Sequence, residues 1–400
     1  MEPISLTLAE TVGLSVVVIF IGKFLVAKIG FLNKFLIPYP VVGGLVFAIV
    51  TLIGYSANLF ELKLDTTLQD YFMICFFTTV GFTASIKVLK AGGIGVALFL
   101  LCAFILTIIQ NGVAVGISSA MGMGPLFGMV AGSIPMTGGH GTSGAFGPVL
   151  EQYGVSGGLT YSIAAATFGL ISGSLIGGPV ARRLIVKHDL KPTEPVHEDA
   201  AGDIESDTGG AVLLNENSLS LAFFQVALAV GIGYYISMGI SALGVVVPSY
   251  IGSMLAAAVM RNVFKDGSKF EMKIPEIQAL GSLFLAIFLA QALMNLKLWQ
   301  LADGALPMFV ILICQVIIMV FYATFVTFNV MGKDYDAAVL AAGHCGFGLG
   351  ATPNGVANMT AVVTKYGPST KAFFILPIVG GLFIDFVNAA GITFFLNIFK

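Results

Sequence analysis

Residues 341–367 read AAGHCGFGLGATPNGVANMTAVVTKYG, and residues 131–154 read AGSIPMTGGHGTSGAFGPVLEQYG. Both are too apolar for water-exposed loops of their length. Both also carry too many glycines and prolines to run as unbroken helices through a bilayer. Non-helical backbone is tolerated at membrane depth only where protein or a wet cavity surrounds it. The two segments are therefore expected to be re-entrant hairpins. A blander account stays open: glycines in membrane helices also serve as close-packing positions, and this chain has 49 of them.

The rest of the chain is hydrophobic to match. Of 400 residues, 57% are hydrophobic and 10% charged, against about 45–50% apolar and about 25% charged in ordinary soluble domains. So few charges cannot cover a soluble fold of this size, and a disordered chain has the opposite composition. A net charge of −2 offers no basic footprint for nucleic acid. The expectation is an all-α integral membrane protein whose partner is the lipid bilayer.

A helix needs about 20 apolar residues to cross about 30 Å of hydrocarbon. Ten stretches qualify: 8–28, 37–55, 71–88, 94–120, 158–186, 219–240, 243–264, 276–296, 304–331 and 370–396. The first reads as a span and not a signal peptide, because Glu2 and Glu10 precede any lysine and no cleavage pattern follows. One polar stretch interrupts the series. Lys187 to Asn217 holds ten of the forty charged residues and two prolines, the composition of a solvated linker. It divides the chain into 1–186 and 218–400, with five spans on each side.

Charge placement sets the expected orientation. Lys28 and Lys34 follow the first span, Lys87 and Lys90 the third, and Arg182, Arg183 and Lys187 the fifth. The loop after the second span carries Glu61, Asp65 and Asp70 against Lys63 alone. In the second half Arg261, Lys265, Lys269 and Lys273 follow the seventh span, and Lys333, Lys365 and Lys371 flank the segment after the ninth. The positive-inside rule then makes the linker cytoplasmic and both termini periplasmic.

Five spans per half is an odd number, so the halves must be inverted relative to each other. A faint repeat agrees: Lys87 and Lys297, like Thr142 and Thr352, are 210 residues apart, Gln110 and Gln315 are 205 apart, and Gly173 and Gly380 are 207 apart. Inverted repeats with interrupted helices mark secondary transporters. In such hairpins half-helix N-termini can face a carboxylate, while unwound carbonyls coordinate a hard cation such as Na⁺.

GGHGT at 138–142, GHCGFGLGATP at 343–353 and MGKDYDAAVLAAGHCG at 331–346 resemble the bacterial sodium/glutamate symporter family. The likeness continues through IPYPVVGGL at 37–45, QNGVAVG at 110–116, ATFGL and IGGPVAR within 166–182, and FIDFVNA at 383–389, and it omits the linker. It implies inverted five-helix repeats with two re-entrant loops, an elevator-type transporter, Na⁺-coupled symport of L-glutamate across a bacterial inner membrane, and a homodimer. The substrate and the ion rest on this resemblance; composition and topology reach only as far as a secondary transporter.

The candidate site lies between the hairpin tips. Thr137, Gly138, Gly139, Gly141, Thr142 and Ser143 serve it from one side, and Gly350, Thr352, Asn354 and Gly355 from the other. Asp385 sits near the middle of the last span, where a carboxylate costs at least about 2.5–3.5 kcal/mol and so needs a partner or a cavity. It is either a Na⁺ ligand or the acceptor for a substrate ammonium, unless it merely pairs with a neighbouring helix. Asn388 shares its helix face, and Asn111 joins these two as a candidate ion ligand. Arg182 is either topogenic or a bidentate partner for a substrate carboxylate. His140 and His344 are expected to orient hairpin backbone, with substrate contact the lesser reading. Gln110, Gln291 and Gln315 fit interhelical hydrogen bonds or a cavity equally well.

Other chemistries lack their signatures. Cys75, Cys102, Cys314 and Cys345 form no CxxC or zinc spacing, and there is no P-loop, so no cofactor is expected beyond the coupling ion. Ser143 has no GxSxG setting, which argues against an enzyme. The rivals are a symporter of another dicarboxylate such as citrate or malate, and a channel, for which no TVGYG-like filter is present.

Overall fold

The computed structural model describes residues 4–192, 216–243, 248–264, 270–301 and 304–400. The greater part of the linker, 193–215, lies outside them, as do Lys265 and Lys269 and residues 244–247 of the seventh expected span. The described chain is helical apart from a two-residue parallel pair, β1 (Ile4–Ser5) with β2 (Leu62–Lys63).

The first half contains α1 (Leu8–Lys28), α2 (Tyr39–Ser56), α3 (Thr67–Thr83), α4 (Gly93–Ala120), α5 (Gly139–Gln152) and α6 (Gly158–His188). The second contains α7 (Glu216–Ala242), α8 (Tyr250–Val263), α9 (Ile274–Met294), α10 (Ala305–Val330), α11 (Tyr335–Gly348), α12 (Thr352–Tyr366) and α13 (Thr370–Phe399). Eight of these, α1, α2, α4, α6, α7, α9, α10 and α13, are long and apolar enough to cross a membrane. The other two expected spans are shorter. Helix α3 has 17 residues and α8 has 14, or roughly 26 and 21 Å at 1.5 Å per residue.

Local sequence explains where the helices begin and stop. Thr7 and Glu10 form a capping box ahead of α1, and Lys28 closes its last turn. Pro38 precedes α2, and the Asp334 carboxylate accepts from the Ala337 amide at 2.7 Å to cap α11. Helix α6 opens after Gly157 at φ 71° and ends at Asp189 at φ 47°, both left-handed. Two long helices each contain a π-helical turn, Tyr322–Thr327 in α10 and Val379–Phe383 in α13, the latter just after Pro377.

The glycine-rich segments are pairs of helical arms with a short break, which fits the expectation that neither runs as one unbroken helix. The first runs from Pro125 through a 3₁₀ turn at Met129–Ala131 into α5, and the second is α11, a break at 349–351, then α12. Helix persists through Gly144, Gly147 and Pro148 and through Gly343 and Gly346. Burial explains it. Every residue of α11 is buried, and peptide groups there have only one another to bond, so tertiary context overrides the weak propensity of glycine. The second segment also starts six residues earlier than expected, because Tyr335–Leu340 belong to its first arm.

The helices pack in two sets. In one, α1 contacts α2 and α9, α7 contacts α8 and α3, α2 contacts α9, α8 contacts α3, and α3 contacts α9. The other joins α4, α5, α6, α10, α11, α12 and α13. Within the second set Gly169, Gly173 and Gly177 line one face of α6, where added methyl groups would meet the carbonyl oxygens of Leu349, Cys345 and Ala342. The close-packing account of glycine therefore holds on this face, which seats α6 against α11.

This seat is testable. Gly173→Ala should lower the thermal midpoint of the detergent-purified protein, with a cost of about 1–3 kcal/mol for overpacking. Gly178→Ala, at a position with open space around it, should leave the midpoint unchanged or raise it. Equal midpoints would mean that α6 does not fix the second hairpin.

Candidate functional site

The two broken segments meet at their breaks. Gly139, at φ 62°, would bring a methyl group to 3.0 Å from the Gly350 carbonyl, so the left-handed backbone and the close approach both call for glycine. Thr137 Oγ1 lies 3.3 Å from the Gly348 carbonyl oxygen.

Buried amides hold this junction. Gln110 Nε2 donates to the Gly348 carbonyl at 2.7 Å, while its Oε1 accepts from Thr137 Oγ1 at 2.8 Å. Gln315 Nε2 donates to the carbonyls of Gln110 and Ala131 at 2.8 and 3.2 Å. Thus the glutamine of each half bonds the broken segment of the other. Asn111 Oδ1 accepts from the Ser133 amide at 2.8 Å, and Asn388 Nδ2 donates to the Ser133 carbonyl at 3.2 Å. Asn354 Nδ2 donates to Ser174 Oγ at 2.7 Å, and Asn358 Nδ2 to the Gly173 carbonyl at 2.9 Å. The bonds to Gly348, Ala131 and Ser133 meet backbone groups at the breaks, while those to Gly173 and Ser174 tie the second segment to α6.

A cavity of about 330 Å³ opens beside the junction. Its polar wall comes from Thr137, Gly138, Gly139, His140, Gly141 and Thr142 on one segment and from Gly350, Thr352 and Asn354 on the other, with Asp385 from α13. Its apolar lining comes from both helix sets: Leu36, Pro38, Phe76, Phe77, Leu285 and Leu289 on the side of the first, and Leu170, Phe347, Pro353 and Ile384 from the second. Among the described residues Asp385 is the one carboxylate in the lining, and no lysine or arginine joins it. Helices α5 and α12 both start here, at Gly139 and Thr352. Of their first-turn amides, Gly139 bonds the Pro135 carbonyl, Thr142 the Gly138 carbonyl, and Asn354 and Gly355 the Ala351 carbonyl, so it is chiefly the aligned helix dipoles that face the cavity. The cavity therefore offers two helix N-termini to anionic groups and one carboxylate to a cationic group.

Other expected site residues fall elsewhere. Ser143 is fully buried and donates to the Ser162 carbonyl at 3.2 Å. Gly355 packs under the Gly343 carbonyl and the Phe347 side chain. Asn388 and Asn111 sit behind the cavity, on Ser133. Arg182 is exposed on α6, lining a surface pocket with Arg183 and Lys187, so the structure does not bring it to the hairpin tips. The snorkelling account fits its position.

His140 lines the cavity and hydrogen-bonds Thr167 Oγ1 at 3.0 Å. Thr167 gives its own proton to the Ile163 carbonyl at 3.1 Å, which makes His140 the donor. His344 bonds Thr327 at 2.8 Å, in the π-helical turn of α10, away from the lining. The apolar wall and Ser133 escaped sequence reasoning. Leucines and phenylalanines in apolar spans carry no distinguishing signal. Ser133 has one, a lone hydroxyl residue two positions before the Pro135 that breaks the helix.

Comparison with known proteins bears on what this cavity serves. The chain matches the family model described as Sodium/glutamate symporter over residues 4–368. It is 41% identical over 394 residues to the sodium/glutamate symporter of Escherichia coli (strain K12), covering 98% of this chain and 97% of that protein. Against the sodium/glutamate symporter of Haemophilus influenzae it is 40% identical over 385 residues, covering 95% of each. With a broken-helix pair in each half, a cavity at their junction and matches at this level along nearly its whole length, the chain belongs to the sodium/glutamate symporter family.

Proposed function

We propose that this multi-pass membrane protein is a secondary active transporter that carries L-glutamate into the cell with Na⁺, across a bacterial inner membrane, and that the cavity at the hairpin junction is its substrate site. The cavity composition carries the reading. L-Glutamate brings two carboxylates and one ammonium group; the cavity brings two helix N-termini and one carboxylate, Asp385. Asp385 takes the ammonium, the starts of α5 and α12 take the carboxylates, and Thr137, Thr142, Thr352 and Asn354 supply polar side chains to orient them. Gly138, Gly139, Gly141 and Gly350 let the ligand approach the backbone. The coupling ion sits on the side of Asp385, Asn388 and Asn111. No cofactor is needed, since the ion gradient supplies the free energy.

A dicarboxylate without an ammonium group would set its charge against Asp385 with no lysine or arginine to offset it. Citrate or malate is therefore the weaker substrate.

The architecture we propose is two inverted five-helix repeats, 1–186 and 218–400, joined by the cytoplasmic linker 187–217, with both termini periplasmic and the broken segments re-entrant. The packing supports it: α1 on α2 has its counterpart in α7 on α8, and α2 on α9 in α8 on α3. The two helix sets become scaffold and carrier. The second set moves with both hairpins and the substrate, sliding over the apolar wall of the first in an elevator motion. The family resemblance further motivates a homodimer.

The decisive experiment is uptake of radiolabelled L-glutamate into proteoliposomes with and without an inward Na⁺ gradient. Accumulation should require the gradient, and excess citrate or malate should compete at least tenfold less well than unlabelled glutamate. Gradient-independent or absent uptake would defeat the coupled reading.

Asp385→Asn should reduce Na⁺-driven accumulation at least tenfold while leaving protein in the membrane at wild-type amounts. Arg182→Gln should transport within twofold of wild type. The reverse pattern would move the substrate site away from the junction.

A further inference from the structure

Three buried side-chain oxygens around the first break have no hydrogen-bond partner among the described residues: Ser133 Oγ, Asn388 Oδ1 and Gln315 Oε1. Ser133 and Gln315 are 0% exposed and Asn388 is 1% exposed. All three side chains meet one short stretch of backbone, 131–133. Gln315 donates its amide hydrogen to the Ala131 carbonyl, Asn388 donates to the Ser133 carbonyl, and the Ser133 hydroxyl is carried by that same residue. A buried oxygen left without a partner is costly, so three of them around one tripeptide is a substantial penalty unless a ligand offsets it.

We propose that these three oxygens are ligands of a buried Na⁺ site behind the tip of the first hairpin. The proposal rests on the Na⁺-coupled reading and gives it specific atoms. The donor set is neutral and made entirely of oxygen, which suits a hard cation. No cluster of three or more His, Cys, Asp or Glu side chains is present among the described residues. A divalent ion would lack the charge it needs, whereas a monovalent ion has Asp385 three residues before Asn388 on α13, on the same helix face.

Asn111 takes a different part. Its Oδ1 already accepts from the Ser133 amide, and its Nδ2 is a buried donor without a partner. A donor does not ligate a cation, but it can bond the oxygen of a water that does. Asn111 thus positions Ser133 and completes the outer shell of the site.

The placement links ion to substrate. Ser133 and Thr137 lie four residues apart at the first break, and Thr137 lines the cavity. Asn388 and Asp385 provide the same connection along α13. An ion that fixes Ser133 and Asn388 fixes the two segments that shape the substrate cavity. By linkage, Na⁺ must raise glutamate affinity by the same factor that glutamate raises Na⁺ affinity.

Ser133→Ala tests the site cleanly, because the hydroxyl it removes makes no bond that the fold depends on. The full-length protein is purified in detergent without glutamate, and its thermal midpoint is read in sodium chloride and in choline chloride. Wild type should gain stability in sodium. Ser133→Ala should match or exceed wild type in choline and lose the sodium gain. Gln315→Met, which also gives up the bonds to Gln110 and Ala131, should start lower and likewise show no gain. In proteoliposomes both variants should need at least tenfold more Na⁺ for half-maximal glutamate uptake. A sodium gain in Ser133→Ala equal to wild type, with half-saturation within twofold, would overturn the site and leave a buried water cluster there. If wild type itself takes up glutamate without Na⁺, the coupled reading fails first, and that outcome is seen before any variant is made.

Discussion

Backbone hydrogen bonding in a medium without water is the constraint on which this structure depends. A helix that crosses hydrocarbon satisfies itself, but a helix that breaks there frees amides and carbonyls that cost several kcal/mol each if left bare. The chain breaks two helices and covers the exposed groups with buried amide side chains. Gln110 reaches Gly348, Gln315 reaches Ala131, Asn388 and Asn111 hold both sides of Ser133, and Asn358 bridges to Gly173 and Ala342. Most of these bonds run between the first and second halves of the chain. Neither break is satisfied wholly by its own half, so the junction draws on both halves of the chain.

The same constraint divides the molecule by chemistry. Polar side chains collect in the helix set that contains the breaks, because that is where backbone needs partners. The other set meets the cavity mostly with leucine, phenylalanine and proline, and an apolar surface fixes register weakly; one directional bond crosses there, from Asn354 Nδ2 to the Phe35 carbonyl at 3.3 Å. Many hydrogen-bonded contacts at that boundary would lock one position. Mostly apolar contacts suit the proposed elevator motion, in which the polar set would shift as a unit with its internal network intact. A second buried core around Phe82, Ala229, Ala257 and Phe284 holds the apolar-walled set together separately.

Much of this was legible from residues alone, for definite reasons. Hydropathy located the long spans because each must fill the hydrocarbon by itself. The dense glycine, proline and threonine of 131–154 and 341–367 marked the breaks, and Asp385 stood out as a carboxylate among apolar neighbours. What the residues left open was local. Glycine content marked each segment as broken but not how far its helical arms extend, and dry burial keeps helix through Gly144 and Gly346. Arg182 carried the right charge for a carboxylate ligand, yet charge says nothing of depth, and its helix turn ends at the surface. The apolar wall was invisible, since Leu285 and Phe77 differ from dozens of lipid-facing neighbours only in what they touch. Ser133 is a single small residue whose importance comes from two asparagines that lie 22 residues before it and 255 after it.

The charge balance explains why substrate and ion belong together in such a site. In the proposed site glutamate would bring one net negative charge beside Asp385, which makes two in one cavity. Each helix N-terminus supplies about half a positive charge, so α5 and α12 together offset about one of them. At separations of a few ångströms the remaining unit is expensive even at an effective dielectric of about 20, where two charges 4 Å apart interact by about 4 kcal/mol. A lysine in the lining would cancel it permanently, at the cost of holding the substrate without reference to any gradient. The lining has none. The missing charge must come from solution with the substrate, and an amide- and hydroxyl-lined position one helical turn from Asp385 admits a monovalent cation to supply it. Coupling on this reading is a deficit of one positive charge, built into the protein by leaving a basic residue out.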